Sequence, residues 1–448
     1  MNYYQLLEEK AARMPQKILF WIDEKEYTYQ AVLARTDALA EKLSQISPAS
    51  RVLIQANGLA AQAIAFFSLQ KLYCLPILLH HGLQEDEIKQ LAEHNHLQAI
   101  VRMQEEDCAA IELYSNHCTA MPHTADCLGV LSSGSTGIPK VMYRTYDSWS
   151  GFFPIQNKIF AIHSATRLFL QGNLSFTGNL NSFLSILYEG GSIISSDFMH
   201  CRGWIRRIRQ HQADTIYMVP AKLQLMLAYI KEPLSSVRMV FTGSQILPPQ
   251  ALKRIYACMP HTRLLLYYGA SELNYITYAD CIDPEREPRN LGKPFPGVQL
   301  LIKNGLIYVD TKYHVSGISM PFSVEDTGYL NQEGELIFQG RQQEWVNKGG
   351  FKISCAKTEL ALREISGISN AAALSCNDSV RGDELAVFIV LQANADQGQI
   401  RQAIRQKFSP VEMPGRILFV DAIPLNDRGK VNKTLLLHLM DTGAVNTK

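Results

Sequence analysis

The segment Leu131-Ser-Ser-Gly-Ser-Thr-Gly-Ile-Pro-Lys140 carries the clearest chemistry in the chain. It follows an apolar run and gathers Ser132, Ser133, Ser135 and Thr136 around Gly134 and Gly137, with a cation at its end. Glycines let a backbone approach a polyanion closely, hydroxyl and amide groups donate to phosphate oxygens, and Lys140 adds charge. The spacing is not the GxxxxGK[ST] of a Walker loop. Four further polar segments stand downstream: Tyr268-Gly-Ala-Ser-Glu272, Glu325-Asp-Thr-Gly328 with Gly340-Arg341, Gly349-Gly350-Phe-Lys-Ile353, and Pro424-Leu-Asn-Asp-Arg-Gly-Lys430.

Elements of alternating type must position these segments. Helical spacing over 30–47, the buried-looking run 58–79, and an amphipathic 84–94 alternate with short apolar strands at 25–29, 51–55, 75–79 and 127–131. The alternation returns from Trp204 to Ile276, with strands at 215–218, 239–241 and 263–267 and helices at 222–229 and 249–257. This predicts α/β layers. The stretch 104–125 reads as a polar loop. Beyond about residue 285, short β-like segments at 298–302, 305–309 and 334–339 lead into a compact α+β pattern. The boundary is placed at 340–343, giving domains 1–340 and 341–448: a large N-terminal domain of layered α/β subdomains plus a β-rich subdomain, and a small mobile α+β C-terminal domain.

Composition narrows the function. The chain has 448 residues, 43 Lys and Arg against 42 Asp and Glu, hence a net charge of +1, with 47% hydrophobic residues. That excludes disorder as the main state and argues against a dedicated nucleic-acid binder, which needs a basic face. Gln62, Gln70, Lys71 and Pro76 interrupt the most apolar run, so no membrane span is expected. Nine scattered cysteines with no CxxC pair predict neither a disulfide framework nor a zinc site. With no signal core at the N-terminus, the cytoplasm is the expected location.

In this order the five segments resemble the motifs of the adenylate-forming (AMP-binding) superfamily, which includes acyl- and aryl-CoA ligases, peptide-synthetase adenylation domains and luciferases. The resemblance covers nearly the whole chain. It implies two half-reactions: a carboxylate attacks the α-phosphorus of ATP to give an acyl-adenylate and pyrophosphate, then a thiol displaces AMP. By that resemblance Ser132 to Gly137 and Lys140 hold the β- and γ-phosphates. Tyr268, Gly269 and Ala270 lie against adenine, Ser271 meets the α-phosphate and Glu272 holds Mg2+. Asp326 takes the ribose hydroxyls, Arg341 serves the ribose or carboxyl from a hinge, and Lys430 is the catalytic lysine bridging α-phosphate and carboxylate. Phe176 or Thr177 falls where many members gate the acyl channel.

Several positions depart from the pattern. Gln343 stands where the hinge is commonly Asp or Lys, and Val141 where Gly commonly follows the loop lysine. The chain is also shorter than most acyl-CoA ligases, which disfavours a long acyl tunnel. Specificity is expected from Phe176, Thr177, Asn181, Val219, Thr242, Gly243, Ser244 and Ala270, a mixed apolar and hydroxyl set with no Asp to hold an amino group. The implied activity is an ATP- and Mg2+-dependent ligase joining an aryl or short-to-medium carboxylic acid to coenzyme A. Two alternatives stand beside it: an acyl carrier protein as thiol acceptor, and a degenerate nucleotide-binding regulator.

Overall fold

The computed structural model describes residues 1–79, 83–105, 108–114, 125–131, 139–243, 246–341, 345–348, 351–378, 382–425 and 431–442. They fall into two compact units. The first is Met1–Arg286 with Gly292–Gln299 and Val309–Phe322; the second is Glu287–Leu291 with Leu300–Tyr308 and Ser323–Lys448.

Two twisted sheets build the first unit. The larger runs, in spatial order, Lys293–Pro294, Asn274–Asp280, Arg263–Ala270, Met239–Gly243, Thr215–Tyr217, Arg167–Leu170, Ser192–Ser195, Ile18–Ile22 and Lys25–Thr28. From Ile18–Ile22 to Arg263–Ala270 its neighbours are parallel. Continuous apolar runs such as Leu168-Phe169-Leu170 are wholly buried, as a strand covered on both faces requires. The second sheet has the order Cys108–Leu113, Ala99–Glu105, Arg51–Ala56, Leu75–Leu78, Asp126–Leu131 and Val141–Thr145. The stretch from 104, read as a loop in the sequence, thus contains part of a β-hairpin. Cys108–Leu113 is an edge strand with one neighbour, and its short apolar run Cys-Ala-Ala-Ile is masked in the sequence by the polar Gln-Glu-Glu-Asp that precedes it.

Helix Leu59–Lys71 is buried at every position from Leu59 to Gln70 and packs against strands of both sheets. The polar residues that break its apolar run are tethers. Gln62 donates to the Ala56 carbonyl and accepts from the Leu174 N–H, and Ser68 bonds the Thr36 carbonyl. Burial of such groups is tolerated because each is hydrogen-bonded. No helix among the described residues is long and apolar enough to cross a membrane.

In the second unit, Ile368–Asp378, Gly382–Leu391 and Arg416–Phe419 form a three-stranded sheet. Alternation sends Ala371, Ala373, Val387 and Ile389 into one core with Leu362 and Ile404, and Ala372, Leu374 and Phe388 into another with Leu418 and Leu436. The helices that close these cores begin at side-chain caps, Ser354, Asp396 and Asn432. Most of a four-stranded sheet, Val298–Lys303, Leu306–Thr311, Asp326–Leu330 and Leu336–Arg341, also belongs to this unit.

Candidate active site

In an open α/β sheet, ligands gather beyond the carboxyl ends of the parallel strands. That is where the first unit collects its chemistry. Strand Arg263–Ala270 ends in the turn Ser271-Glu272-Leu273 and returns as Asn274–Asp280. The neighbouring strand Met239–Gly243 brings Gly243 opposite Tyr267. Arg167–Leu170, two strands further across, ends near Phe176, which caps the helix Thr177–Glu189. The result is a direct contact: the Thr177 and Ser271 hydroxyls share a hydrogen bond at 3.0 Å. Two sequence candidates separated by 94 positions therefore meet.

The strand end that presents Ser271 is irregular for a reason. Pairing slips between Tyr268 and Gly269, and a Cβ on Gly269 would lie 2.7 Å from the Asn274 carbonyl oxygen. Only glycine allows that approach. Asn274 itself takes a left-handed backbone, φ 70°, and its side-chain oxygen accepts from Asn181, which in turn accepts from Gln156. Tyr268 to Glu272 remain half-buried, open enough to meet a ligand.

Arg144 holds this turn from below. Its side chain is completely buried and donates to the Ser271 carbonyl at 2.7 Å, the Tyr313 carbonyl at 3.3 Å and the Ser148 hydroxyl at 3.4 Å. Its guanidinium lies 5.0 Å from the Trp149 ring centroid. Burial pushes the Arg144 pKa down to about 10, against the opposing pull of Tyr3 and Glu272. At neutral pH it stays charged. The Val315 N–H donates to the Glu272 carbonyl at 2.9 Å, so both peptide oxygens of the pair are fixed.

The hydroxyl-rich segment Ser132, Ser133, Gly134, Ser135, Thr136 and Gly137 lies outside the described residues, but its anchors do not. Leu131 and Val141 stand opposite each other on antiparallel strands. Asn95, just after helix Glu85–His94, accepts from the Val141 N–H at 2.8 Å and donates to the Pro139 carbonyl at 3.1 Å. It thereby brackets the exposed Lys140. In the second unit, Asp326 is buried to 2% exposure and is directly across from Arg341 on the adjacent strand. The Thr327 hydroxyl donates to the Gly340 carbonyl, and Gly340 has φ 134°.

Ser244, Gln343, Gly349, Gly350 and Lys430 also fall outside the described residues, as does the side chain of Arg341. Of the other specificity candidates, the buried Thr242 hydroxyl donates to the Met218 carbonyl, and Val219 caps helix Pro220–Leu227. Arg144, Asn95, Tyr217 and Tyr267 escaped the sequence reading. Arg144 offered one signal, a lone cation in an otherwise uncharged strand, Val-Met-Tyr-Arg-Thr.

A family model described as AMP-binding enzyme matches residues 7–317, and one described as AMP-binding enzyme C-terminal domain matches 357–430. The uncharacterised acyl–CoA ligase YhfT of Bacillus subtilis (strain 168) is 28% identical over 323 residues, 68% of this chain and 66% of that protein. VraA of Staphylococcus aureus (strain MRSA252), a provisionally assigned long chain fatty acid–CoA ligase, is 23% identical over 97% of each chain. Among solved structures, o-succinylbenzoate CoA synthetase (MenE) from Bacillus subtilis with its acyl-adenylate has a TM-score of 0.83 at 18% identity, covering 96% of this chain and 97% of that one. The same enzyme is also known in complex with ATP and magnesium ion. The motif resemblance and the expected fold class are borne out.

Proposed function

Because the chain belongs to the AMP-binding enzyme family, we propose that it is an ATP-dependent acid–thiol ligase. The carboxylate oxygen bonds to the α-phosphorus of ATP and pyrophosphate leaves. The thiolate of coenzyme A then attacks the acyl carbon, AMP leaves with the bonding pair, and the thiol proton passes to solvent. The observation that carries this reading is the meeting of Thr177 with Ser271, next to Glu272, beyond the strand ends, with the Ser271 carbonyl held by Arg144.

Two anions must meet, so positioning and positive charge do most of the work. Ser133, Ser135, Thr136 and Lys140 hold the terminal phosphates and release pyrophosphate. Ser271 donates to the α-phosphate while Tyr268 lies along adenine. Asp326, with its two acceptor oxygens, receives the ribose hydroxyls, and Arg341 binds from the other strand. Lys430 places its ammonium between carboxylate and α-phosphate. Glu272 suits Mg2+, which takes one or two carboxylates plus phosphate oxygens and water, and the ion would neutralise phosphate charge. The fixed backbone and half-open side chain of Glu272 fit that duty. Movement of a C-terminal domain, residues 341–448, about Arg341 brings Lys430 in for the first half-reaction and withdraws it for the second. The names of YhfT, VraA and MenE support coenzyme A as acceptor.

The test is ATP–pyrophosphate exchange with a panel of carboxylic acids, followed by coenzyme A or a phosphopantetheinylated carrier protein. Exchange followed by thioester formation with coenzyme A is expected. Nucleotide binding without exchange for any acid would instead make the chain a regulator.

A further inference from the structure

The same strand ends define how deep an acid can reach. Thr177 touches Ser271, and the very next residue, Gly178, is against a pair of tyrosines. A Cβ on Gly178 would lie 2.1 Å from the Tyr217 hydroxyl and 3.3 Å from the Tyr267 hydroxyl. The two hydroxyls are 3.0 Å apart and hydrogen-bonded. Gly243 meets the same obstacle, its Cβ position being 2.6 Å from ring carbons of Tyr267.

Behind the pair the interior is filled. The Tyr217 ring stacks on Phe241 at 5.1 Å, and Phe241 stacks on Phe160 at 4.4 Å, with ring planes 6° apart. Tyr267 packs on Tyr275 at 4.5 Å. All five rings are buried. Asn181, one turn beyond Thr177 on the same helix, is held on both sides by Gln156 and Asn274. Consecutive Cα atoms are only about 3.8 Å apart. The Ser271 contact and the tyrosine contact thus sit on adjacent residues of one helix, Thr177 and Gly178, which places the tyrosine pair close behind the Ser271 turn.

On the reading of Ser271 as the α-phosphate contact, we propose that the acid is a short aliphatic carboxylic acid, of acetate to butyrate size. Tyr217 and Tyr267 form the stop that sets its length. A long acyl chain or an aryl ring would have to displace a close-packed aromatic column, and cores resist such changes of volume.

ATP–pyrophosphate exchange by the full chain decides this with acetate, propionate, butyrate, octanoate, palmitate and benzoate. Exchange should fall at least about 10-fold from the best short acid to octanoate, because even one methylene in a fitted site is worth that much. Tyr217→Leu should narrow the ratio of butyrate to octanoate by about 10-fold. Tyr217→Phe, which keeps the ring, should preserve the cut-off and guards against a variant that fails to fold. Equal or better exchange with octanoate, palmitate or benzoate in the wild type overturns the stop while leaving the ligase reading intact. So does an unchanged ratio in a folded Tyr217→Leu protein. Absence of exchange with every acid overturns the ligase reading itself.

Discussion

Asp326 and Arg341 face each other across two antiparallel strands, the first residue of one opposite the last residue of the other. Two residues fifteen positions apart are thus register partners at one end of adjacent strands. Asp326 is 2% exposed, so its position is fixed by packing. Asp326→Asn keeps the shape and removes the charge. It should raise the KM for ATP by about 10-fold or more, the size of a lost charge-assisted hydrogen bond. Steady-state kinetics in ATP, with thermal unfolding as control, check this; an unchanged KM would remove Asp326 from the ribose site.

Asn95 offers a test of the phosphate loop through its anchors. Asn95→Ala leaves the Val141 N–H and Pro139 carbonyl without their partner. The expected result is a KM for ATP raised several-fold, with stability lowered by about 1 kcal/mol. Asn95→Asp retains an acceptor for Val141 and should recover part of the loss.

Lys430→Ala should lower acyl-adenylate formation by roughly 10² or more while nucleotide binding persists, since it removes a cation from the transferring phosphoryl group. Pre-steady-state adenylate formation and equilibrium binding of ATP separate the two effects. Loss of binding equal to the loss of rate would refute a role confined to the transition state.

Alkaline pH should unfold the protein through its tyrosines. Burial pushes the Tyr217 hydroxyl from 10.0 up to about 12, and Tyr143 and Tyr256 likewise. The folded state then keeps protons that the unfolded chain releases, so their contribution is complete below pH 10 and is lost as pH rises through 12. For Tyr217 that amounts to about 3 kcal/mol. Denaturant titrations between pH 9 and about 12 should show stability falling, with a shallower fall in Tyr217→Phe.

Much of the fold was legible because its signals are local. The glycine-hydroxyl loop, Tyr-Gly-Ala-Ser-Glu and the apolar strands announce themselves in a few consecutive residues. The edge strand Cys108–Leu113 was not legible, because its short run Cys-Ala-Ala-Ile is set directly after the polar Gln-Glu-Glu-Asp of 104–107. Arg144, Asn95 and the Tyr217–Tyr267 pair were hidden for another reason. Their meaning lies in what they touch: Arg144 acts on Ser271 across 127 positions, and the tyrosines are 50 apart. No spacing rule connects such residues: Tyr217 and Tyr267 come together on parallel strands of the larger sheet, and Arg144 reaches Ser271 from the second sheet.

Trp149, fully buried beneath Arg144, gives the turn at Ser271 a voice in light. Indole emission responds to a nearby charge, and the charge over this ring is tied to the carbonyl of Ser271. Any displacement of the turn on nucleotide capture shifts the guanidinium over the ring and changes its fluorescence. The molecule thus carries its own label-free reporter, and a Trp149→Phe comparison would isolate its signal from those of the other three tryptophans.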